Sequence, residues 1–438
     1  MFPEQRVALL PQDKLVIGRS PECTVQLQGD QLSRQHAEIQ RDGPIFVIRD
    51  LSSKNGTFHN GRRIEEAVLE VHDVVRTGDW VAVVSNVGKG VPLGVREIAE
   101  GVFAGASLQA LLDDAKRAAA SNLPIILSGE TGTGKEVVAQ LIHQWSQRSG
   151  PLVAINCAAL PESLAEAELF GHQKGAFTGA DRARIGLVRE ADGGTLLLDE
   201  IQELSLELQA KLLRTLQEGT VTPIGESRPI DVDVRVIAAG QSSLEDAVQQ
   251  RRFRGDLYAR LAGLELKLPS LRERREEIAP VFLATLKDQL RGGAPAVDTN
   301  LIERLCIYDW PFNVREVIQL ARQIAVLHGH EPPFTEAHLP QRMAKRKVGT
   351  VSVRQPEAPR EAAQPSQDGA NQDGKKNRRD QGQAANDRQL EQLVVALRSH
   401  GGNVSKAASE LGISRQRAYR LMDLRPDLDI GDVRHPSG

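Results

Sequence analysis

The sequence predicts a multidomain chain with an all-β front part, a central α/β part and a short all-α tail. In residues 1–87, short apolar runs are interrupted by the turn signals Asn55-Gly56 and Asn60-Gly61, a pattern typical of a small antiparallel sandwich. Residues 103–270 alternate apolar strand-like runs with helical stretches, which indicates a parallel sheet covered by helices. Residues 388–424 contain three segments with the apolar spacing of short helices.

Composition limits the class of protein. A length of 438 residues corresponds to about three domains. The 55 Lys and Arg nearly balance the 58 Asp and Glu, so a surface that binds a polyanion has to be local. The three cysteines form no paired motif, which argues against a disulfide framework and a structural zinc site and predicts a reducing, cytoplasmic setting. No run of 18 apolar residues is present, so we expect no membrane association.

The order of these patterns predicts domain boundaries. A segment rich in Pro, Gln, Asp and Asn and poor in large apolar residues is predicted to be a disordered linker, because it buries too little to offset its ordering entropy. The predicted parts are a sandwich (1–87), a linker (88–102), an α/β core (103–270), a helical lid (271–343), the disordered linker (344–387), a helical tail domain (388–424) and a terminal tail (425–438).

A glycine-rich loop follows the apolar run Ile125–Leu127 and precedes a helical stretch. Its residues are Gly129, Glu130, Thr131, Gly132, Thr133, Gly134, Lys135 and Glu136. Glycines allow backbone N–H groups to converge on phosphate oxygens, and the helix N-terminus and the lysine add positive potential. An ordinary glycine-rich turn is the alternative. Glu136 stands where a hydroxyl residue usually contacts Mg²⁺, so the metal is expected to depend on other ligands.

Two carboxylates end a second apolar strand, about 60 residues after this loop. In the segment Gly193–Glu200, Asp199 is predicted to hold Mg²⁺, and Glu200 is predicted to polarise a water that attacks the nucleotide. An acidic pair at a strand end is often only a solvated turn, but its position after a phosphate-binding loop favours catalysis.

The stretch Phe103 to Glu316 resembles the sigma-54-dependent transcription activators, the bacterial enhancer-binding proteins of the AAA+ ATPase superfamily. The resemblance is carried above all by Glu168 to Ala180, within which one hexapeptide matches the loop that these activators use to contact sigma-54. That hexapeptide consists of Gly175, Ala176, Phe177, Thr178, Gly179 and Ala180. A glycine turn that hides one phenylalanine is the alternative. The resemblance implies an α/β ATPase core with a helical lid, ATP and Mg²⁺ as cofactors, and sigma-54 RNA polymerase holoenzyme as partner.

Other motifs of the family match residue by residue. By resemblance, Asn156 holds the catalytic glutamate in an off position, Arg254 and Arg260 reach the nucleotide of a neighbouring subunit, and Arg315 contacts nucleotide within its own subunit. An active hexameric or heptameric ring and an inactive dimer are therefore implied. Gly240-Gln241 replaces the usual Thr-Asn of the first sensor motif, so Gln241 is the expected amide there, and Phe312 replaces a glycine in the lid. These two departures are expected to affect turnover or coupling.

The front sandwich resembles a forkhead-associated (FHA) domain, which binds phosphothreonine. The matching residues include Gly18-Arg19, Ser33 to His36 and Ser53 to Phe58. Arg19, Ser33 and Arg34 are predicted to surround a phosphate, and Asn55 is predicted to bind the peptide backbone, whereas His36 is expected to support the loop. A phosphothreonine protein or a Ser/Thr kinase is the implied partner. The alternative is a sandwich that binds an unphosphorylated partner or the chain's own motor, meaning the α/β core and helical lid together.

The tail resembles a Fis-type helix-turn-helix. Basic residues outnumber acidic residues five to one between Arg398 and Arg420, which gives the local positive charge that the whole chain lacks. The third predicted helix presents Ser414, Arg415, Gln416, Arg417 and Arg420, which suit phosphates and base edges in the major groove of double-stranded DNA. A solvated helix in a protein-binding bundle is the alternative.

Together, these motifs predict a cytoplasmic bacterial activator that binds an upstream DNA site and remodels sigma-54 RNA polymerase by ATP hydrolysis, under phosphothreonine control. Two rival hypotheses differ in class. One is a non-catalytic, phosphoprotein-responsive DNA-binding scaffold that binds ATP only to assemble. The other is a chaperone-like remodeller without a promoter role, which fits poorly with the intact hexapeptide and the basic tail.

Overall fold

The computed structural model describes residues 14–344, except 87–92, 178, 179, 242, 292 and 294. The chain divides into two compact units, residues 1–348 and 349–438, and every described residue lies in the first. Ala344, the first residue of the predicted disordered linker, ends a helix, whereas residues 345–387 of that linker and the predicted DNA-binding helices lie outside the described residues. Among the helices that are described, none has the length and apolar character needed to span a bilayer.

The front domain is a sandwich of two sheets with strand orders β2-β1-β3-β4-β7 and β6-β5-β8-β9. Leu15, Ala37, Ile48 and Val75 are buried between the sheets, as the alternation of apolar and polar residues requires. The strands are β1 (Lys14–Gly18), β2 (Val25–Gln26), β3 (Ala37–Asp42), β4 (Ile45–Asp50), β5 (Thr57–His59), β6 (Arg62–Ile64), β7 (Glu66–Leu69), β8 (Val74–Thr77) and β9 (Trp80–Val83).

A β-hairpin connects the sandwich to the core. Strands β10 (Arg96–Ala99) and β11 (Val102–Ala104) pair antiparallel, so the stretch 88–102, predicted as a linker, includes a strand. Phe103 and Ala104 are buried, which anchors the hairpin to the motor.

The central sheet is fully parallel, with strand order β13-β16-β19-β12-β20. Alternate residues of each strand face two different apolar clusters: Ile126 and Leu198 lie on one face, and Leu127 and Leu197 lie on the other. Burial on both faces explains why these strands are continuous apolar runs. Because the carboxyl ends of parallel strands meet at one edge, the loops that follow β12, β13, β16 and β19 come together there.

The core strands are β12 (Ile125–Ser128), β13 (Leu152–Asn156), β16 (Thr195–Asp199), β19 (Arg235–Gly240) and β20 (Leu264–Lys267). Two small ladders add β14 (Gly171–His172) with β15 (Arg184–Ile185), and β17 (Thr220–Val221) with β18 (Ile230–Asp231). The core helices are α1 (Ala106–Ala119), α2 (Lys135–Ser146), α3 (Glu162–Phe170), α4 (Leu187–Glu190), α5 (Leu206–Glu218), α6 (Leu244–Gln249) and α7 (Gly255–Leu261).

The lid is helical and has its own apolar cluster, in which Phe282, Trp310 and Val317 are fully buried. Its helices are α8 (Ile278–Gln289), α9 (Thr299–Ile307), α10 (Asn313–His328) and α11 (Gln341–Ala344). The Asp298 side chain caps α9 by accepting a hydrogen bond from the backbone of Asn300. The turn before α10 reaches the glycine-rich loop of the core, so the lid takes part in the site.

Candidate functional site

The glycine-rich loop connects β12 to α2 and has positive φ at Gly129, Gly132 and Gly134. A Cβ built on Gly132 would lie only 2.2 Å from the carbonyl oxygen of Phe312, whereas a Cβ on Gly134 would meet nothing within 4 Å. Gly132 is therefore required by the close approach of the lid, and Gly134 by its φ of +104°.

The start of α2 is suited to a phosphate group. Gly134 provides no side-chain cap, so the first-turn N–H groups, which lack acceptors within the helix, face the loop. Lys135 is 8 % exposed, and its Nζ donates to the carbonyl oxygen of Gly129 at 2.8 Å. Burial lowers the pKa of Lys135, while the carboxylates of Asp199 and Glu200 raise it. A triphosphate fits a loop in which amide donors and a buried ammonium group converge.

Asp199 ends β16 beside this loop. Burial raises the pKa of Asp199, and the Lys135 charge opposes that rise. A partly buried carboxylate that faces a lysine is a suitable ligand for Mg²⁺, which would neutralise phosphate charge there. Glu136 is exposed on the first turn of α2.

Glu200 is bound by two glutamine side chains. Gln241 Nε2 donates to Glu200 Oε1 at 2.9 Å, and Gln202 Nε2 donates to Oε2. Glu200 itself has a φ of +52°, an uncommon conformation for a residue with a side chain. Gln241, which replaces the usual sensor residue, therefore reaches the predicted catalytic carboxylate, and Gln202 is a contact that the sequence did not point out.

Asn156 has a different contact from the one expected by resemblance. It pairs in register with Asp199 at the end of β13, close to the site. Its side-chain oxygen, however, accepts a hydrogen bond from the backbone N–H of Ala158 at 2.9 Å and so caps the short turn Cys157–Ala159. The described side-chain donors to the Glu200 carboxylate are the two glutamines, Gln241 and Gln202.

Lid residues also form hydrogen bonds with the glycine-rich loop. Asn313 is fully buried, and its Nδ2 donates to Thr131 O at 2.9 Å and to Glu130 Oε2 at 3.2 Å. Its Oδ1 accepts from the backbone N–H of Leu271 at 2.7 Å. Arg272 forms a two-pronged ion pair with Glu130. The side chain of Glu130 thus binds the lid and is unavailable as a direct phosphate ligand.

Arg274 is a further lid residue that contacts the glycine-rich loop. Arg274 Nη2 donates to Thr133 O at 2.6 Å, and the buried carboxylate of Glu277 pairs with Arg274. Phe312 has a φ of −109° and a side chain that is 60 % exposed, so a glycine is not required at its position. The left-handed conformations of this turn fall on Trp310, at φ +51°, and on Asn313, at φ +52°, and asparagine tolerates this conformation.

The three predicted arginines lie at different places. Arg315 is in the first turn of α10, and its charge lowers the pKa of Lys135, which places it beside the phosphate-binding loop. Arg254 forms a two-pronged pair with Asp256, and Arg260 donates to Leu216 O at 2.8 Å. Both lie on the surface near α7, away from the contacts around Lys135.

The predicted sigma-54 loop projects from the β14–β15 ladder. Gly175 N donates to Ala180 O at 2.9 Å, which closes the base of the loop, and Ala180 is buried. Phe177 is 37 % exposed, with its ring 4.9 Å from that of His172. Gly175 is exposed, Ala176 is half-buried, and Thr178 and Gly179 lie outside the described residues. The described part presents an aromatic side chain at the surface.

The predicted phosphopeptide residues lie together at one end of the sandwich. Arg19 N donates to Ser33 O at 3.0 Å, and Lys54 N donates to Ser33 Oγ at 3.0 Å. Arg19, Arg34 and Asn55 are exposed. His36 is buried beneath them; its Nδ1 accepts from Ser33 N, and its Nε2 faces Gly56 O. Burial lowers the pKa of His36, so a neutral imidazole supports the loop.

A cluster in the lid has the composition of a metal site but not its hydrogen bonding. Ligand atoms of His328, Glu331 and His338 lie within 4.8 Å of one another. The backbone N–H of Thr335 donates to His338 Nδ1, and His338 Nε2 lies 3.7 Å from Glu331 Oε2. These contacts use the ring nitrogens within the protein, and we interpret the cluster as a hydrogen-bonded end of the lid. The proposed DNA-binding residues 414–417 and 420 lie outside the described residues.

Four family models match the chain in succession. They are the FHA domain (residues 15–78), the sigma-54 interaction domain (102–267), the AAA+ ATPase lid domain (272–355) and the bacterial regulatory protein, Fis family (387–420). The matches agree with the predicted fold classes and their order, including the helix-turn-helix class of the tail.

Curated relatives match over most of this chain. The transcriptional activator RocR of Bacillus subtilis is 42% identical over 323 residues, 72% of this chain and 66% of RocR. The transcriptional regulatory protein ZraR of Salmonella typhimurium is 39% identical over 71% of this chain and 65% of ZraR. GlrR of Escherichia coli, a transcriptional regulatory protein, is 37% identical over 74% of this chain and 67% of GlrR. The chain thus spans about two thirds, or slightly less, of the length of these relatives.

A solved structure shares the fold. NtrX from Brucella abortus in complex with ADP superposes with a TM-score of 0.52 at 26% identity, covering 75% of this chain and 69% of NtrX. A structure of the same protein in complex with ATP gives a TM-score of 0.50.

Proposed function

This chain belongs to the sigma-54-dependent transcriptional activators, and we propose that it hydrolyses ATP to remodel sigma-54 RNA polymerase at promoters in the bacterial cytoplasm. The observation that carries the proposal is the convergence of Lys135, Asp199, Glu200 and Arg315 at one edge of the parallel sheet. This arrangement supplies cations for phosphate oxygens, one carboxylate for Mg²⁺ and one for water. The ATP and ADP complexes of the similar NtrX support a nucleotide as ligand.

Different residues bind the phosphates and activate the water in the proposed reaction. Lys135 and the first N–H groups of α2 bind and orient the phosphates of ATP. Glu200 accepts a hydrogen bond from the attacking water, and Gln241 fixes the direction of its carboxylate. Positioning and charge stabilisation account for most of phosphoryl-transfer catalysis, so the rigidity of these contacts supports turnover. The bond from Gln241 and the relaxed φ of Phe312 favour an active enzyme over the non-catalytic scaffold.

Phosphothreonine recognition by the front domain is the proposed regulatory input. The exposed Arg19, Arg34 and Asn55 surround Ser33 on a loop that buried His36 supports. Guanidinium and hydroxyl groups suit a phosphate through charge-assisted hydrogen bonds. We propose that the tail binds double-stranded DNA upstream of the promoter, and that the motor assembles from an inactive dimer into a ring.

The first experiment measures ATP hydrolysis and promoter opening by the full-length protein. Lys135→Ala and Glu200→Gln should each remove hydrolysis, since one loses phosphate binding and the other the carboxylate. Thr178→Ala should keep hydrolysis but lose promoter opening. Normal hydrolysis by Glu200→Gln would contradict the catalytic assignment, and retained opening by Thr178→Ala would contradict the role of the loop.

A second experiment tests the phosphothreonine input. Arg19→Ala should abolish binding of a phosphothreonine peptide pool while leaving basal ATP hydrolysis in place. Equal binding of phosphorylated and unphosphorylated pools by the wild-type protein would contradict this part of the proposal. The scaffold hypothesis is tested separately, because it predicts no rise in specific ATPase activity with protein concentration.

A further inference from the structure

The second sheet of the front domain packs against lid helix α9. Val74 of β8 is fully buried and belongs to the same apolar cluster as the lid residues Leu301 and Leu305, while Val81 and Val83 of β9 pack against that cluster. The lid therefore completes its core with residues from the front domain.

A desolvated ion pair fixes the register of this contact. Arg76 Nε lies 2.6 Å from Glu303 Oε2, and the two side chains are only 11 % and 7 % exposed. The Arg76 guanidinium also lies 3.7 Å from the centre of the Phe58 ring. Removing one partner of such a pair leaves a buried charge unpaired, so the pair selects one docked position.

The turn between β8 and β9 contacts the lid and also Gln31, which is bonded to the proposed phosphopeptide-binding residue Asn55. Thr299 Oγ1, at the first residue of α9, lies 3.5 Å from Asp79 O. The Asp79 carboxylate accepts from the backbone N–H of Gln31 at 3.0 Å. Asn55 Nδ2 donates to Gln31 O at 2.7 Å. A short chain of hydrogen bonds thus connects the proposed peptide-binding amide with the start of a lid helix.

We propose that helix α9 is an intramolecular partner of the front domain, and that phosphopeptide binding weakens this docking and releases the lid. The inference rests on the phosphothreonine recognition proposed above. In the docked state the Asn55 amide is bonded to Gln31 O, which steadies the loop that holds Asp79. A peptide backbone that takes the Asn55 amide withdraws this support. The lid, which grips the glycine-rich loop through Asn313, then moves more freely.

Coupling of this kind is reciprocal, so loss of lid docking must strengthen peptide binding. Glu303 is a lid residue, 227 positions from Arg76 along the chain, and lies outside the proposed peptide site. The decisive measurement is the affinity of full-length Glu303→Gln for a peptide pool with a fixed phosphothreonine and randomised flanks. We expect about fivefold tighter binding, at the lower end of typical coupling factors. Glu336→Gln, an exposed lid glutamate, is the matched control and should bind like the wild type.

Hydrogen exchange reports docking directly. The amides of α9 should exchange faster in Glu303→Gln than in the wild type, and faster in the wild type when the phosphopeptide pool is saturating. The double charge reversal Arg76→Glu with Glu303→Arg should restore slow exchange and wild-type affinity, which separates loss of docking from general misfolding. Unchanged affinity of Glu303→Gln, or unchanged α9 exchange on peptide binding, overturns the inference.

The two proposals fail in different ways. If the wild type binds phosphorylated and plain pools equally, the phosphothreonine function is wrong and the release mechanism is overturned with it. The docking itself is still decided by α9 exchange: faster exchange in Glu303→Gln than in Glu336→Gln supports it, and equal exchange overturns it. If the pool binds selectively and ATP is hydrolysed, but affinity is the same in both variants, the inference fails alone.

Discussion

At the residue scale, the carboxylate of Glu200 depends on Gln241. The hydrogen bond from Gln241 Nε2 to Oε1 is 2.9 Å long. Hydrogen bonds to charged groups contribute about 1.5–3 kcal/mol. Gln241→Leu removes this bond at constant size, so we expect kcat for ATP hydrolysis to fall about tenfold, with little change in KM, because the change affects orientation and not phosphate binding. Steady-state kinetics at saturating protein concentration measure both constants.

Two companion variants separate orientation from bulk packing. Gln241→Glu places a second negative charge beside Glu200 and should lower kcat further than Gln241→Leu. Gln202→Leu removes the other amide, on Oε2, and should also lower kcat, because each variant leaves one oxygen of Glu200 without its donor. A rise in KM with unchanged kcat in Gln241→Leu would instead place Gln241 on the phosphates.

A second residue-scale prediction concerns Asp50 in the front domain. Burial disfavours its charge, but hydrogen bonds from Ser53 and Thr57 outweigh burial and lower the pKa of Asp50. A lowered folded-state pKa stabilises the sandwich above the unfolded pKa of about 3.9, and this stability is lost as pH falls through the lower folded value. Hydrogen exchange of β5, corrected for intrinsic pH effects, should therefore accelerate below about pH 4.

The control for this effect is Asp50→Asn, which cannot ionise. Its β5 exchange should be faster than the wild type at neutral pH, and the gap should narrow as pH falls. A constant gap between pH 3 and 7 would show that the hydrogen bonds at Asp50 do not depend on its charge.

The sequence predicts site residues that form a consecutive motif, but it does not predict side-chain contacts between residues far apart in the chain. The glycine-rich loop and the Asp199-Glu200 pair are consecutive residues at strand ends, so pattern and chemistry point to them together. The bond between Gln241 and Glu200 spans 41 positions, and the bond between Asn313 and Glu130 spans 183. Asn313 follows Phe312 in the lid sequence, but its side-chain direction depends on how the lid meets the core.

At the scale of elements, the turn Trp310–Val314 of the lid acts as a clamp on the phosphate-binding loop. Asn313 satisfies the backbone groups of Leu271 and Thr131, and Val314 N donates to Gly132 O at 3.0 Å. Asn313→Ala leaves buried backbone groups without partners, which costs about 1–3 kcal/mol. We expect a lower unfolding temperature and a higher KM for ATP, measured by calorimetry and by kinetics.

Asn313→Asp provides a matched variant. It keeps the acceptor for Leu271 but faces the carboxylate of Glu130 with a like charge, 3.2 Å from the atom that now receives a hydrogen bond. The combination of Asn313→Asp with Glu130→Gln should recover part of the loss. If the double variant is no better than Asn313→Asp alone, the side chain of Glu130 is not part of the clamp.

The sheets and helices of the motor followed from apolar periodicity, but the docking of elements did not. The alternation of apolar and polar residues predicts which face of a strand such as β8 is buried, but it does not predict which other element covers that face. Val74 is buried against lid helix α9, and Arg76 is mostly covered by its pairing with Glu303 of that helix, more than 200 positions later in the chain. The sequence left open a sandwich that binds its own ATPase domain, and the structure shows a contact between the sandwich and the lid, while the proposed phosphopeptide residues Arg19, Arg34 and Asn55 are exposed.

At the scale of the whole molecule, one series of contacts runs from the front domain to the nucleotide site. The proposed phosphopeptide-binding residue Asn55 is bonded to Gln31, Gln31 is bonded to Asp79 in the β8–β9 turn, that turn contacts α9, and the lid contacts the glycine-rich loop. Spatial continuity alone does not establish energetic coupling. The peptide affinity of lid variants and the KM of clamp variants are therefore complementary, because they test the two ends of this series independently.

The remaining prediction concerns assembly. Arg260 lies on the surface and donates a hydrogen bond to the backbone carbonyl of Leu216, whereas Lys135 is buried beside the glycine-rich loop of the same subunit. If Arg260 acts on a neighbouring subunit, then Arg260→Ala and Lys135→Ala are each inactive for different reasons, and mixed rings contain restored sites. In an equal mixture, about a quarter of sites combine an intact Lys135 with a neighbour that carries Arg260, so we expect about a quarter of wild-type ATPase activity.

A mixture of Lys135→Ala with Glu200→Gln is the control, because both changes affect the same subunit's site and should give no recovery. No recovery in the first mixture would place Arg260 outside the shared active site.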